Sequence, residues 1–400
     1  MKNRTSFFII GGALTVFSLA FVFYFIIPRI APLSYETEAV LGEIGATSPK
    51  SKNKEPVFVV THIPTPEAVR AIYMTQCVAG TPSFRERLIT LIEETELNSV
   101  IVDIKDFSGG LGFKPIDPAL KEFLSPRCYA SDLREFIGRL HEKGIYTIAR
   151  ITVFQDPLFA KKHPHLAVKK LSDKNTLWSD YKGLNFIDPG AREAWNYIIA
   201  ISREAYVLGF DELNYDYIRF PSDGNMRDIY YPWSEEQIIA DPDFGKAKVL
   251  RDFFTYLDKA LSDLPVILSA DLFGMTMTNP DDLNIGQVLE YVEPYFDYIA
   301  PMVYPSHYPK GFNGHERPAT APYAIVRFSM DRGALRLLAA SSTPSKLRPW
   351  LQDFDLGAVY DADMVRAQIQ ATYDAGLDSW MLWDPANTYT REALLPNTQH

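Results

Sequence analysis

Only two cysteines occur in the 400 residues, Cys77 and Cys128, and no CxxC pair, which excludes a dense disulfide framework and offers no zinc ribbon or redox motif. The seven histidines include no HExxH and no HxH closing the first strand-like run, so no recognisable ligand set for metal-dependent hydrolysis is present, and no metal or other cofactor is expected. No GxGxxG or GxxxxGK[ST] occurs, and the segment CVAGTPS at 77–83 has a single glycine where a dinucleotide-binding fold would carry its phosphate-cradling turn. Basic residues are in the minority, 40 Lys and Arg against 50 Asp and Glu. The resulting net charge of -10 speaks against nucleic acid as a partner and leaves room only for a local basic site. Charged residues, at 22%, are too few for a disordered chain, whereas 47% apolar residues can fill a large core.

One long hydrophobic run stands out. Residues 7–27 carry no charge over 21 positions and follow Lys2 and Arg4, enough helix to cross a hydrocarbon layer of roughly 30 Å. The run is longer than a usual export-signal core and lacks a small-x-small cleavage site, so residues 1–30 read as an uncleaved signal anchor, with a cleaved signal as the alternative. The positive-inside rule puts the N-terminus in the cytoplasm and the remainder outside, giving a single-pass cell-membrane protein with an extracytoplasmic domain. Residues 31–64, mixed in Ser, Thr, Lys, Glu and Gly, read as a tether. An oxidising location would permit a bridge between Cys77 and Cys128, although two separate thiols fit the sequence equally well.

Beyond residue 65, short runs rich in β-branched and aromatic residues alternate with longer stretches of helical periodicity. Eight strands are predicted, at 71–77, 99–105, 145–154, 212–219, 266–273, 298–304, 347–352 and 379–384. Helix ends are marked by Gly144, Gly209 and Gly376, and helix starts by Thr81-Pro82, Asp188-Pro189 and Asp241-Pro242. Eight such units over residues 65–395 predict an α/β fold, a single (β/α)8 TIM barrel, preceded by the transmembrane helix and linker. An open doubly wound sheet is the competitor.

In a barrel the functional groups gather at the C-terminal ends of the strands, and alternate residues point inward. On the fourth strand Glu212, Asn214 and Asp216 share one parity, with Leu213, Tyr215 and Tyr217 on the other. Asp103 and Lys105 on the second strand, Arg150 on the third, and Ser269 and Asp271 on the fifth extend the inward polar row. Later strands end in Tyr304 and His307, in Trp350 and Gln352, and in Trp383, Asp384 and Asn387. Aromatic faces, amides and carboxylates together suit a saccharide, and hydrolysis of a glycosidic bond needs two carboxyls. Asp216 and Asp271 fit that pair best by position, with Glu212 and Asp103 as rivals. Asp103, Lys105, Arg150, Asn214, Tyr304, His307, Gln352, Trp383 and Asp384 are the expected substrate-binding groups.

Seven ordered runs carry a resemblance: VDIKDFSG at 102–109, ARITVFQDP at 149–157, NYDYIRFP at 214–221, SADLFG at 269–274, APMVYPSHY at 300–308, RPWLQDF at 348–354 and LWDPANTY at 382–389. The chain resembles, over about residues 70–390, a bacterial family of glycoside-hydrolase-like domains long catalogued as a domain of unknown function. The resemblance implies a barrel related to glycosidase barrels and a polysaccharide or oligosaccharide substrate at the cell envelope. Chitinase-like barrels carry D-x-x-D-x-D-x-E on the fourth strand; Asp211, Asn214 and Asp216 match the three aspartates, but Ile218 replaces the glutamate. Amylase-like barrels, with an aspartate on strand four and the acid on strand five, are a closer match to Asp216 and Asp271. Asp271 stands where their acid is usually glutamate, and its shorter arm would widen the carboxyl gap and favour inversion. The expectation is a two-carboxylate glycosidase with Asp216 as nucleophile or base and Asp271 as acid. A non-catalytic saccharide-binding barrel is the alternative, and an aldolase-type barrel using Lys105 a third reading.

Overall fold

The computed structural model of the chain describes residues 60–397. The anchor expected at 1–30 and nearly all of the 31–64 tether lie outside the described residues. No helix among the described residues is long and apolar enough to cross a membrane.

Eight parallel strands close in sequence order into a barrel: β1 (Arg70–Met74), β2 (Ser99–Lys105), β3 (Tyr146–Thr152), β4 (Glu212–Asp216), β5 (Ile267–Phe273), β6 (Tyr298–Met302), β7 (Trp350–Gln352) and β8 (Trp380–Trp383). Closure is made by β1, where Ala71 pairs with Ser99 on one side and Met381 on the other. Every predicted strand overlaps an observed one. Several predictions run past the ladder because the apolar run continues into buried loop residues such as Val153, Phe154 and Tyr304.

The main helices surrounding the strands are α1 (Pro82–Glu94), α2 (Leu133–Glu142), α3 (Arg192–Leu208), α4 (Gly245–Leu261), α5 (Pro322–Ala339) and α6 (Ala362–Asp374). In α2, Leu133, Phe136, Ile137 and Leu140 are the buried residues, the i, i+3, i+4, i+7 spacing of a helix laid on a sheet. Pro82 opens α1 as predicted. The other two Asp-Pro signals are displaced: α3 and α4 start at 192 and 245, and Ala191 and Phe244 hold their cap positions. Asp188 instead accepts hydrogen bonds from the Gly190 and Trp233 amides and the Ser234 hydroxyl, and Asp241 from the Phe244 amide. Gly144, Gly209 and Gly376 all have positive φ, 69°, 113° and 79°, so each supplies the left-handed turn from helix to strand.

Outward side chains such as Leu213 and Tyr215 pack beneath the helices, while Tyr146, Ile148, Tyr304 and Trp350 fill the barrel. A disulfide joins Cys77 to Cys128, Cα atoms 5.0 Å apart, and ties the loop after β1 to the loop after β2. At the N-terminal end, residues 61–65 are laid on the barrel. The Ile63 amide donates to the Asp211 carboxylate (2.8 Å), His62 stacks on Tyr206, and Thr65 bonds the Tyr146 hydroxyl (3.1 Å). The last residues of the expected tether thus belong to the folded unit.

Candidate active site

The C-terminal ends of the strands surround a cavity of about 460 Å³. Arg150, Asp216, Asp271, Tyr304, His307 and Trp383, all anticipated from the sequence, line it together with Lys182, Tyr217, Arg219, Phe273 and Trp350. At its base the Arg150 guanidinium meets three carboxylates. Nη1 donates to Asp103 (2.5 Å), Nη2 donates to Asp216, and Nε lies 3.7 Å from Asp271. All four groups are buried. The same guanidinium packs near the rings of Tyr73 and Trp383, which stack on each other at 3.9 Å.

Parity explains how these groups meet. Asp103, Arg150 and Asn214 pair across β2, β3 and β4, and Asn214 pairs with Ser269 on β5, so their inward side chains form adjoining layers. Asn214 Nδ2 donates to Asp271 (2.9 Å) and to the Ser269 hydroxyl (3.1 Å), and Trp350 Nε1 donates to the same Asp271 oxygen (2.8 Å). Burial pushes the Asp271 carboxyl well above the usual carboxylate range, and the Asp216 charge adds to that, against the opposing effect of Arg150 and the two donors. The other Asp271 oxygen lies on the side of Arg150, 3.7 Å from Nε. Asp103 is pushed up by burial to about 6, and the Tyr73 hydroxyl donates to it. Burial, followed by the charges of Asp271 and Asp216, raises the Tyr304 hydroxyl well above its ordinary value, and Tyr304 lines the cavity.

Other predicted groups are not brought to the cavity. Asp103 and Asn214 lie behind its wall, bound to Arg150 and Asp271. Gln352 accepts from the Ser306 amide and hydroxyl and donates to the Phe354 carbonyl, holding the loop that carries His307. Asp384 caps its own turn, accepting from the amides of Ala386 (2.8 Å) and Thr388 (3.0 Å). Glu212 is sealed in a lower layer by Arg348 (2.7 Å) and the Tyr146 hydroxyl (3.1 Å), which removes it as a rival member of the carboxyl pair.

Two corrections concern side-chain direction. The register shifts between Asp103 and Lys105, a bulge that breaks the two-residue alternation. Lys105 consequently pairs with Asp156 (2.8 Å), donates to the Thr152 carbonyl (2.5 Å), lies 5.7 Å from the Tyr197 ring of α3 and is fully buried. It does not face the cavity, so neither a substrate contact nor an aldolase amine fits its position. Tyr217, expected on the outward face, lines the cavity because β4 ends at Asp216 and Tyr217 takes a left-handed φ of 51°. Alternation holds only inside a strand. Sequence reasoning also passed over Arg219 and Lys182; the NYDYIRFP run contained the signal for Arg219, whereas Lys182 sits in a long loop with no motif to mark it.

Residues 71–389 match the model of a family described as "Putative glycosyl hydrolase domain". No curated protein sequence matches the chain. Among solved structures, a hypothetical protein from Ruminiclostridium thermocellum ATCC 27405 is 30% identical, with a TM-score of 0.43, over 50% of this chain and 96% of that one. The PgaB (BpsB) glycoside hydrolase domain from Bordetella bronchiseptica is 17% identical, with a TM-score of 0.60, over 82% of this chain and 97% of that one. Alpha-L-fucosidase isoenzyme 2 from Paenibacillus thiaminolyticus is 13% identical, with a TM-score of 0.57, over 82% of this chain and 48% of that one. These last two share the fold.

Proposed function

Because the chain belongs to this glycosyl hydrolase domain family, we propose that it cleaves an O-glycosidic bond of an envelope polysaccharide by a two-carboxylate mechanism. The observation that carries this reading is the placement of Asp216 and Asp271 on one guanidinium, with the Asp271 carboxyl pushed well above the usual range by burial. Contacts of 3.7 Å or less to one planar group keep the two carboxyls within the upper limit, roughly 9.5 Å, at which such pairs flank a glycosidic bond. Asp271 gives its proton to the leaving glycosidic oxygen as the bond to the anomeric carbon breaks. Asp216 serves that carbon from the other side, as nucleophile or as the base that takes a proton from the attacking water. Trp383, Trp350 and Tyr304 offer the sugar an aromatic wall and a donor. Asp103 and Asn214 act through Arg150 and Asp271 as positioning residues.

The proposal extends to location: residues 7–27 anchor the chain in the cell membrane, and the barrel works outside it. The test is reducing-end release from a panel of envelope and plant polysaccharides, beside Asp216→Asn and Asp271→Asn, with binding measured in parallel. The expected result is turnover by the wild type that falls by at least about 100-fold in each variant while binding persists. Binding without turnover, unchanged by either substitution, would make the protein a saccharide-binding barrel instead.

A further inference from the structure

The cavity holds two cations that the proposed bond cleavage does not use. Arg150 is surrounded by carboxylates, but Arg219 is not. It is 7% exposed and lines the cavity, yet no carboxylate lies within salt-bridge distance of it among the described residues. Its one hydrogen bond among them runs from Nη1 to the Phe220 carbonyl (3.0 Å). The guanidinium packs against the rings of Tyr217 and Phe273, each centroid 4.8 Å from Cζ, while its other N–H groups have no acceptor among the described residues. Burial works against its charge, and Tyr217, Asp216, Asp223 and Asp180 oppose that only through space. Lys182, on the same cavity wall, is exposed; its backbone amide is tied to Asp180, and its ammonium makes no ion pair among the described residues.

A buried cation is costly without an anionic partner. Here the described residues supply none in contact, and Arg219 lines the cavity proposed to hold the substrate. We infer that the saccharide bound here is acidic, with the ring carboxylate of a uronic acid received by Arg219 and Lys182 beside the bond that is cut. A flat guanidinium held by two aromatic rings presents paired, coplanar donors, which match a planar carboxylate better than a tetrahedral ester. Arg219 lies three residues beyond Asp216, so the acidic ring is placed at or next to the cleavage point. The inference rests on the glycosidase reading for its substrate and adds the charge.

The test uses the full chain and matched pairs of oligosaccharides from galacturonan, hyaluronan and alginate, each beside its carboxyl-reduced neutral counterpart. Binding is measured with Asp271→Asn so that turnover does not intervene. The acid member of at least one pair is expected to bind roughly 10- to 100-fold more tightly. Arg219→Gln abolishes that preference while leaving the neutral member's affinity within about threefold. Lys182→Gln, at an exposed position outside the core, weakens the preference without disturbing the fold. Equal binding of both members of every pair, strong or absent, overturns the inference, as does preference for a sulfated polymer over every carboxylate. Wild-type turnover separates the two readings. Cleavage confined to neutral members leaves the hydrolase standing and removes the acidic substrate; acid-selective binding lost in Arg219→Gln, with no cleavage, does the opposite.

Discussion

Arg150 brings a single positive charge to Asp103, Asp216 and Asp271 in a site nearly closed to water. One cation cannot balance three buried anions, and burial raises the carboxyls of Asp103, to about 6, and of Asp271. The sign of the stability effect follows. Between the ordinary carboxyl value near 4 and about 6 for Asp103, the folded protein holds a proton that the unfolded chain has released, so stability falls as pH rises across that window. In Asp103→Asn the corresponding part of the slope between pH 4 and 6 disappears, as thermal unfolding at half-unit steps would record; an unchanged slope would place the proton elsewhere. Activity has its own limb. Deprotonation of Asp271 at higher pH removes the acid, so kcat/KM declines on the alkaline side. Asp271→Asn should retain turnover of glycosides whose leaving group needs no proton, whereas Asp216→Asn loses those as well. These inward groups were legible because a strand alternates strictly. Lys105 and Tyr217 were not, because a bulge and a left-handed residue break the alternation and neither leaves a mark in composition.

Elements built from periodic sequence were read correctly in kind and less well at their ends. The spacing of Leu133, Phe136, Ile137 and Leu140 identifies α2 unaided, because a helix must bury one face. Asp188 and Asp241 misled as helix starts because an aspartate before proline caps a turn as readily as a helix, and only tertiary contact decides which amides it receives. The bridge between Cys77 and Cys128 was equally beyond sequence, since it depends on how the loops after β1 and β2 meet. Its 51-residue separation gives a definite expectation: replacing both cysteines by alanine should lower unfolding free energy by roughly 2 to 4 kcal/mol, measured by denaturant titration under oxidising conditions. Asp211 is a second fastening. Its carboxylate accepts from the Ile63 and Thr147 amides and the Thr147 hydroxyl and meets His141 Nε2 at 3.0 Å, joining the incoming chain to α2 and β3. Asp211→Ala leaves those buried donors without an acceptor and should cost about 3 kcal/mol. A loss near zero in the same titration would mean that the segment at 61–65 is not held by this residue.

For the molecule as a whole, eight repeats in unbroken order made the barrel readable, since a closed parallel sheet is the arrangement that buries eight such strands under their own helices. The cavity was less so, because its wall includes residues such as Lys182 from a long loop whose path no periodicity describes. The net charge of -10 likewise concealed two cationic groups, Arg219 and Lys182, without contacting anions among the described residues, since a total says nothing about placement. Location is the property that the barrel itself cannot supply. It rests on 21 uncharged residues behind Lys2 and Arg4, a length suited to a bilayer, and on the bias of those two charges toward the cytoplasm. The folded unit begins with the 61–65 segment already seated on Asp211 and Tyr146, so removal of residues 1–59 leaves those contacts intact. A chain starting at residue 60 should therefore stay in the soluble fraction with unchanged unfolding behaviour and turnover, while the full chain sediments with membranes through a carbonate wash. Protease added to intact spheroplasts should digest the barrel of the full chain. Protection until the membrane is broken would reverse the orientation, and a full chain released by carbonate would replace the anchor with a cleaved or peripheral segment.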